Sequence, residues 1–267
     1  MKKFIPAVIA LFAAGILGAQ ENEGKVTYER VSQMQIRIND GDEAMAHQMP
    51  RTRTDRFELM FSGGKTLWKA AESDDDQDNM TSSEGGMQIR MVVAGNDDVL
   101  FTDLGSGKRV EKREMFDKTF IIDDSVRMMK WKMTGETKQV LNKNCMKATA
   151  TDIRTRSVMN MENGQMERKE VQDTVNIVAW FTNEIPVATG PAEYQGQLPG
   201  LILEMDINNG RQVFKALEIS QKVDKSDIKA PEGKKRYTPA EFRTERDKML
   251  DEMQKNNRGG NRVIRMN

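Results

Sequence analysis

The sequence predicts a mainly β protein, an antiparallel sheet of barrel-like or sandwich-like form followed by a single C-terminal α-helix. Three observations lead there. Short runs of alternating apolar and polar residues recur along the chain, separated by Gly, Asn and Asp. The cleanest run, 201–207, places Leu201, Leu203, Met205 and Ile207 on one face and Ile202, Glu204 and Asp206 on the other. A helix signature occurs only near the end of the chain, at Thr238-Pro239-Ala240-Glu241.

The chain opens as a secretory signal peptide over 1–19. Lys2 and Lys3 precede an apolar run over 4–16, and small residues lead to a cleavage point near Ala19. That run is shorter than the roughly 20 residues that span a bilayer, so no transmembrane anchor is expected. Export to the periplasm or outer cell envelope follows. Without Lys2 and Lys3 the 41 basic residues become 39 against 41 acidic ones. This near-neutral balance argues against a nucleic-acid partner.

Residues 20–230 read as one antiparallel β domain and 231–267 as a helix with a basic tail. A bulge-bearing strand is expected over 24–38, and 42–54 forms a connection. Strands at 56–61 and 65–70 flank Ser62-Gly63-Gly64 as a hairpin. The acidic stretch 72–86 is a solvated loop. Further strands are expected at 87–93, 98–103, 109–115, 120–123, 128–133 and 145–153, with a turn at 161–164. A strand at 175–182 places Val175, Ile177, Ala179 and Phe181 on one face and Val178 and Trp180 on the other, as in a central strand covered on both sides. After 201–207, Asn208-Asn209-Gly210 turns the chain into a return strand over 211–220, with Val213, Leu217 and Ile219 sharing a side. In the helix, Thr238 caps and Glu241 completes the capping box. Tyr237 and Phe242 are spaced as a hydrophobic staple, and Phe242, Met249, Leu250 and Met253 share a face. The helix ends before Gly259-Gly260.

Between the strands 175–182 and 201–207 lie Pro186, Gly190, Pro191, Gly196, Pro199 and Gly200, which specify a sharp path. Here the chain resembles the GLPGLI family of secreted bacterial proteins. The resemblance rests on Leu198-Pro199-Gly200-Leu201-Ile202, on Ala179-Trp180-Phe181-Thr182 with Glu184-Ile185-Pro186, and on Gly190-Pro191. Trp131, Glu136-Thr137-Lys138 and Asn144-Cys145-Met146-Lys147-Ala148 also match. It extends over roughly 24–223. Gln197 stands where the family carries a glycine, with Gly196 one place earlier. Taken with the strand rhythm, the resemblance implies a curved sheet or half-barrel like that of lipoprotein carriers. It also implies an outer-membrane receptor as a plausible partner, and it supplies no chemistry.

The candidate chemical groups point away from catalysis. His47 is the sole histidine and has no nucleophile motif beside it. Cys145, the sole cysteine, lies in a strand with no base nearby in sequence, so it reads as a small buried hydrophobe. Asp74, Asp75, Asp76 and Asp78 miss the calcium-loop spacing, with Asn79 and Gly85 where glycine and an acid belong. Methionine is abundant, at 20 residues. Met128, Met129, Met133, Met159 and Met161 form a weak Cu(I) alternative to ordinary core filling. Trp131 and Trp180 read as core residues. Glu184, Glu193, Glu204 and Asp206 are the acids that a carboxylate-dependent hydrolase would have to use.

The resulting expectation is a non-catalytic exported envelope protein without a cofactor. It would bind or carry an apolar ligand, or dock on an outer-membrane partner. Trp180, Ile185, Pro186, Tyr194, Leu198 and Pro199 are the candidate binding residues, at the rim formed by 184–200. Met-based copper handling and hydrolysis are the alternatives.

Overall fold

The computed structural model describes residues 22–33, 52–72, 98–115, 117–162 and 165–258. The expectations for the signal peptide, His47, the acidic run at 74–78, the strand at 87–93 and the tail beyond 258 lie outside the described residues. The strands are β1 (Gly24–Gln33), β2 (Thr52–Ser62), β3 (Lys65–Ala70), β4 (Val99–Asp103), β5 (Lys108–Met115) and β6 (Lys118–Ser125). They continue as β7 (Lys132–Val140), β8 (Lys143–Glu162), β9 (Gln165–Thr182), β10 (Leu201–Ile207), β11 (Gln212–Ser220) and β12 (Arg236–Tyr237). The helix α1 covers Pro239–Arg258. All twelve strands form one open sheet in the order β12-β6-β5-β4-β3-β2-β1-β11-β10-β9-β8-β7. Pairing is antiparallel except between β12 and β6.

Connectivity forces this sheet to curve. β6 and β7 stand ten strand positions apart, which in a flat sheet is about 48 Å at ~4.8 Å per strand. Only 126–131 joins them, a path of at most about 25 Å at ~3.5 Å per residue. The sheet must bend until the two limbs approach each other. The same bend lets Arg109 on β5 and Arg154 on β8 both reach Glu193.

The inner face carries the main core. Val26, Tyr28, Leu59, Trp68, Ile177, Ala179, Phe181, Met205 and Phe214 gather there. An open sheet needs a second layer to keep that face dry, and the loop 183–200 supplies it through Ile185, Val187, Tyr194 and Leu198. On the opposite face of the β2–β6 limb, Met60, Leu67, Phe101, Val110 and Ile121 bury against Ile228. The helix covers Phe120 and Ile122 through Phe242 and Met249.

The helix start follows the capping logic. Thr238 N–H donates to Glu241 Oε2 at 2.7 Å and Glu241 N–H donates to Thr238 Oγ1 at 3.3 Å. Tyr237 and Phe242 both rest on Phe120, with ring centroids 5.3 and 5.2 Å away. Leu250 is half-buried and Met253 is exposed, so the apolar stripe ends before the helix does.

Several expectations require correction. The alternation over 201–207 breaks between Ile202 and Glu204, where an extra residue opposes β9. Ile202 therefore pairs with Phe181 and is fully buried rather than turned away from the core. The return strand has the same problem. Thr27 pairs with Glu218 and Tyr28 with Ala216, so Leu217 is the extra residue. The bulge lies in β11 rather than in β1. Phe214 and Ala216 are the buried residues, and Leu217 is 41% exposed. Residues 128–131 stand outside the ladder and the strand begins at Lys132. Met161 and Glu162, expected in a turn, belong to β8, and β8 and β9 are far longer than expected, at 20 and 18 residues.

Candidate functional site

The loop 183–200 is positioned by close backbone approach. A Cβ on Gly200 would stand 2.1 Å from the Thr182 carbonyl oxygen, and one on Gly190 would stand 2.7 Å from Ile202 Cδ1. Glycine is a steric requirement at 200, where the clash is with backbone, while at 190 a Cβ would press on the Ile202 side chain. Leu201 N–H donates to Ile185 O at 3.1 Å and Ile202 N–H to Thr189 O at 2.9 Å, tying the loop to the start of β10. Tyr28 Oη donates to Ile202 O at 2.5 Å from the inner face, and burial pushes its phenol well above the ordinary range.

Polar side chains then fasten the loop to both limbs. Glu193 and Tyr194 lie in the 3₁₀ turn Ala192–Tyr194. Arg109 Nη2 donates to Glu193 O at 2.7 Å. Arg154 Nη2 donates to Tyr194 Oη at 2.8 Å and to Glu193 Oε1 at 3.1 Å. Burial lowers the Arg109 pKa, against the pull of Asp124, Glu193 and Glu111. Burial also opposes the Arg154 charge, but Tyr194, Glu193 and Asp152 outweigh it and raise that group. Glu111, beside Arg113, is pushed up by burial despite its arginine partner.

Gln197 is the least expected member. Its Oε1 accepts from Met129 N–H at 3.1 Å and from Trp131 Nε1–H at 3.3 Å, and its Nε2 donates to Arg127 O at 3.0 Å. One side chain thus holds the crossing segment 126–131 against the loop. The preceding Gly196 takes the left-handed turn with φ +76°. Thr66 Oγ1 donates to Gln195 Oε1 at 2.5 Å, deep under the loop. The buried side-chain atoms without a partner among the described residues are Thr102 Oγ1, Arg109 Nε, Thr189 Oγ1 and Gln195 Nε2. All four lie on the loop or on the β4–β5 pair.

The candidate binding residues do not share one surface. Ile185, Tyr194 and Leu198 are core residues, at most 4% exposed. Pro186 and Pro199 are exposed. Trp180 is half-buried on the opposite face of β9, with Lys138 Nζ 4.4 Å and Lys147 Nζ 5.7 Å from its ring centre. Trp131 is likewise half-buried, packed on the core. Those lysines pair with Glu204 and Glu136.

Among the alternative acids, Glu184 accepts from Asn144 N–H at 2.7 Å, and that bond leads in lowering its pKa. Glu193 binds Arg154, Glu204 binds Lys138, and Asp206 accepts from Gly210 N–H at 2.6 Å. Met128 and Met133 are exposed while Met129 packs on the core; Met159 and Met161 lie on β8 opposite Arg168 and Met166. Among the described residues, no group of three or more His, Cys, Asp or Glu side chains is placed to hold a metal ion. Cys145 is buried against the main core, and burial pushes its thiol up to about 11.

A second feature emerges only in three dimensions. β7 pairs with β8 no further than Thr149, and β10 pairs with β9 no further than Ile177. From Thr151↔Asn176 to Glu162↔Gln165, twelve cross-strand pairs continue with no third strand among the described residues. At ~3.3 Å per residue this ribbon extends about 35 Å beyond its neighbours.

Comparison with known proteins bears on the loop region. Residues 131–204 match the model of a protein family of unknown function, Porph_ging. The match spans β7, β8, β9, the whole loop 183–200 and the first part of β10. No curated protein matches the chain. A solved structure described as "Structure of PNGF-II in C2 space group" is similar at 16% identity with a TM-score of 0.48. The similarity covers 81% of this chain and 30% of that one, so the chain spans less than a third of that structure's length.

Proposed function

We propose that this protein is an exported, non-catalytic binding module of the cell envelope that docks a macromolecular partner. Its main contact is the β8–β9 ribbon. The supporting observation is the ribbon itself. A two-stranded hairpin is marginal in water without a third layer, so a twelve-pair extension gains stability by meeting another surface. The ribbon also carries exposed apolar residues, Ile153 at 61% and Val171 at 41% exposure.

A carrier with its ligand inside the curve is less well supported. The inner face is filled by Ile185, Tyr194 and Leu198 of the chain's own loop. Lifting them out would expose three large side chains at roughly 1.5–3 kcal/mol each. That holds the open form below about one molecule in a thousand. The non-catalytic reading draws support from Glu184, Glu193, Glu204 and Asp206, each engaged by a separate partner.

The test is photo-crosslinking in the envelope of a producing cell, with the crosslinking residue at Val171 or at the equally exposed Leu217. Discrete adducts from position 171 and not from 217 are expected. A stoichiometric lipid released from the purified protein on denaturation would instead restore the carrier reading, and equal adducts from both positions would remove the ribbon.

A further inference from the structure

Among the described residues the ribbon has two backbone edges without a neighbouring strand, and they are not equivalent. On the β8 side, the crossing segment 126–131 runs close by, since Arg127 Nη2 reaches Asp152 Oδ1 at 3.0 Å. On the β9 side the edge begins where β10 ends. Asn208 N–H donates to Asn176 O at 2.7 Å and is the last bond to that strand. Backbone groups of an antiparallel strand alternate in direction. If the Asn176 carbonyl faces β10, then the N–H and C=O groups of Thr174, Gln172, Glu170, Arg168 and Met166 face the same way, out of the ribbon. Those of Val175, Asp173 and Val171 face β8, opposite Asp152, Arg154 and Arg156.

The β9 edge therefore offers ten backbone donors and acceptors in line with β10, directly beyond the turn at 208–211. An extended polypeptide answers all of them at once, as a strand added to a sheet edge. The side chains beside this edge suit a sequence-tolerant contact. Glu170, Gln172 and Thr174 are exposed and polar on one face, and Val171 is the exposed apolar position on the other.

We propose that the β9 edge over 165–175 is a strand-addition site that takes an extended segment of a partner protein, continuing the line of β10. This rests on the partner-docking reading above and names the form of the contact. The partner is recognised mainly through its backbone, with an apolar side chain set against Val171.

The test uses the full chain and a phage-displayed library of random 12-residue peptides. Selected binders are then made synthetically and added to the labelled protein for residue-resolved amide exchange. Peptide binding should protect the amides of Thr174, Gln172 and Glu170 at least tenfold while leaving those of Asp173 and Val171 unchanged. Gln172→Pro removes one outward N–H and no bond to β8. It should melt with the wild type yet weaken peptide binding at least tenfold, and Gln172→Ala should bind normally. A library that yields no binder, binders indifferent to Gln172→Pro, or protection without the alternation would overturn the proposal. So would outward amides already protected in the dilute free chain, or protected only through self-association. A crosslink from Val171 that survives Gln172→Pro would reject strand addition while keeping the docking function.

Discussion

Gln197 offers the sharpest test of how the curved sheet is held. Replacing it with alanine removes three hydrogen bonds, to Arg127 O, Met129 N–H and Trp131 Nε1–H. A hydrogen bond contributes about 0.5–1.5 kcal/mol net. The Gln197 side of the contact is 7% exposed, but Arg127 is exposed and Met129 and Trp131 are half-buried. Water can therefore satisfy part of what is lost, and the expected cost is about 1.5–3 kcal/mol. For a chain of this size that lowers Tm by roughly 3–12 °C. Calorimetry reads the stability and Trp131 emission reads the segment, which should shift to the red in the native variant. Gln197→Glu adds a pH signature. It keeps an acceptor for Met129 and Trp131 but turns an oxygen toward the Arg127 carbonyl unless the carboxyl is protonated. Its folded pKa is thus raised, so the variant should approach wild-type stability at low pH. The deficit should grow as pH rises above the ordinary glutamate value of about 4.3. Variants that melt within about 1 °C of the wild type, with unshifted Trp131 emission, would show that the crossing segment is held by its chain ends alone.

Four other outcomes follow from the same geometry. Gly200→Ala should cost about 3 kcal/mol or more, because its Cβ meets the Thr182 carbonyl. Gly64→Ala, at φ +74° in open space, should cost only about 1 kcal/mol in the same chemical denaturation assay. Tyr28→Phe leaves the Ile202 carbonyl without its buried donor and should lower stability by about 1–2 kcal/mol at an unchanged denaturant slope. Cys145 should resist iodoacetamide in the native chain up to pH 9 and react on unfolding. Because burial raises its folded pKa to about 11 from 9.0, its contribution makes stability fall as pH climbs above 9.

Much of the fold was legible along the chain. The hairpin at Gly63-Gly64, the strands 175–182 and 201–207, and the capped helix at Thr238 are encoded by neighbours within a few residues. The two errors of alternation have one cause. At Leu203 and Leu217 an extra residue enters a strand, and a bulge depends on the partner strand, so alternation read from one strand cannot reveal it. The long ribbon was missed for a related reason. Arg154, Thr155, Arg156 and Ser157 show no apolar period to mark a strand, and among the described residues no third strand pairs with this part of β8. Loop residues such as Ile185, Tyr194 and Leu198 were recognisable as important. Their role as inner core was not, since an apolar residue on a Pro/Gly-rich loop looks the same whether it faces inward or outward.

What the sequence determined alone was local: where the chain is extended, where it turns, and where the helix begins. Those choices follow from backbone sterics, side-chain periodicity and capping, all of which act over a few residues. Which strands lie side by side, and that a six-residue crossing bends the sheet until Arg109 and Arg154 meet at one turn, was decided by the tertiary structure. The same is true of Gln197, whose three partners lie 66 to 70 residues away in sequence. Contacts at that range exist only once the loop has been driven onto the inner face by the need to keep a single-layer sheet dry.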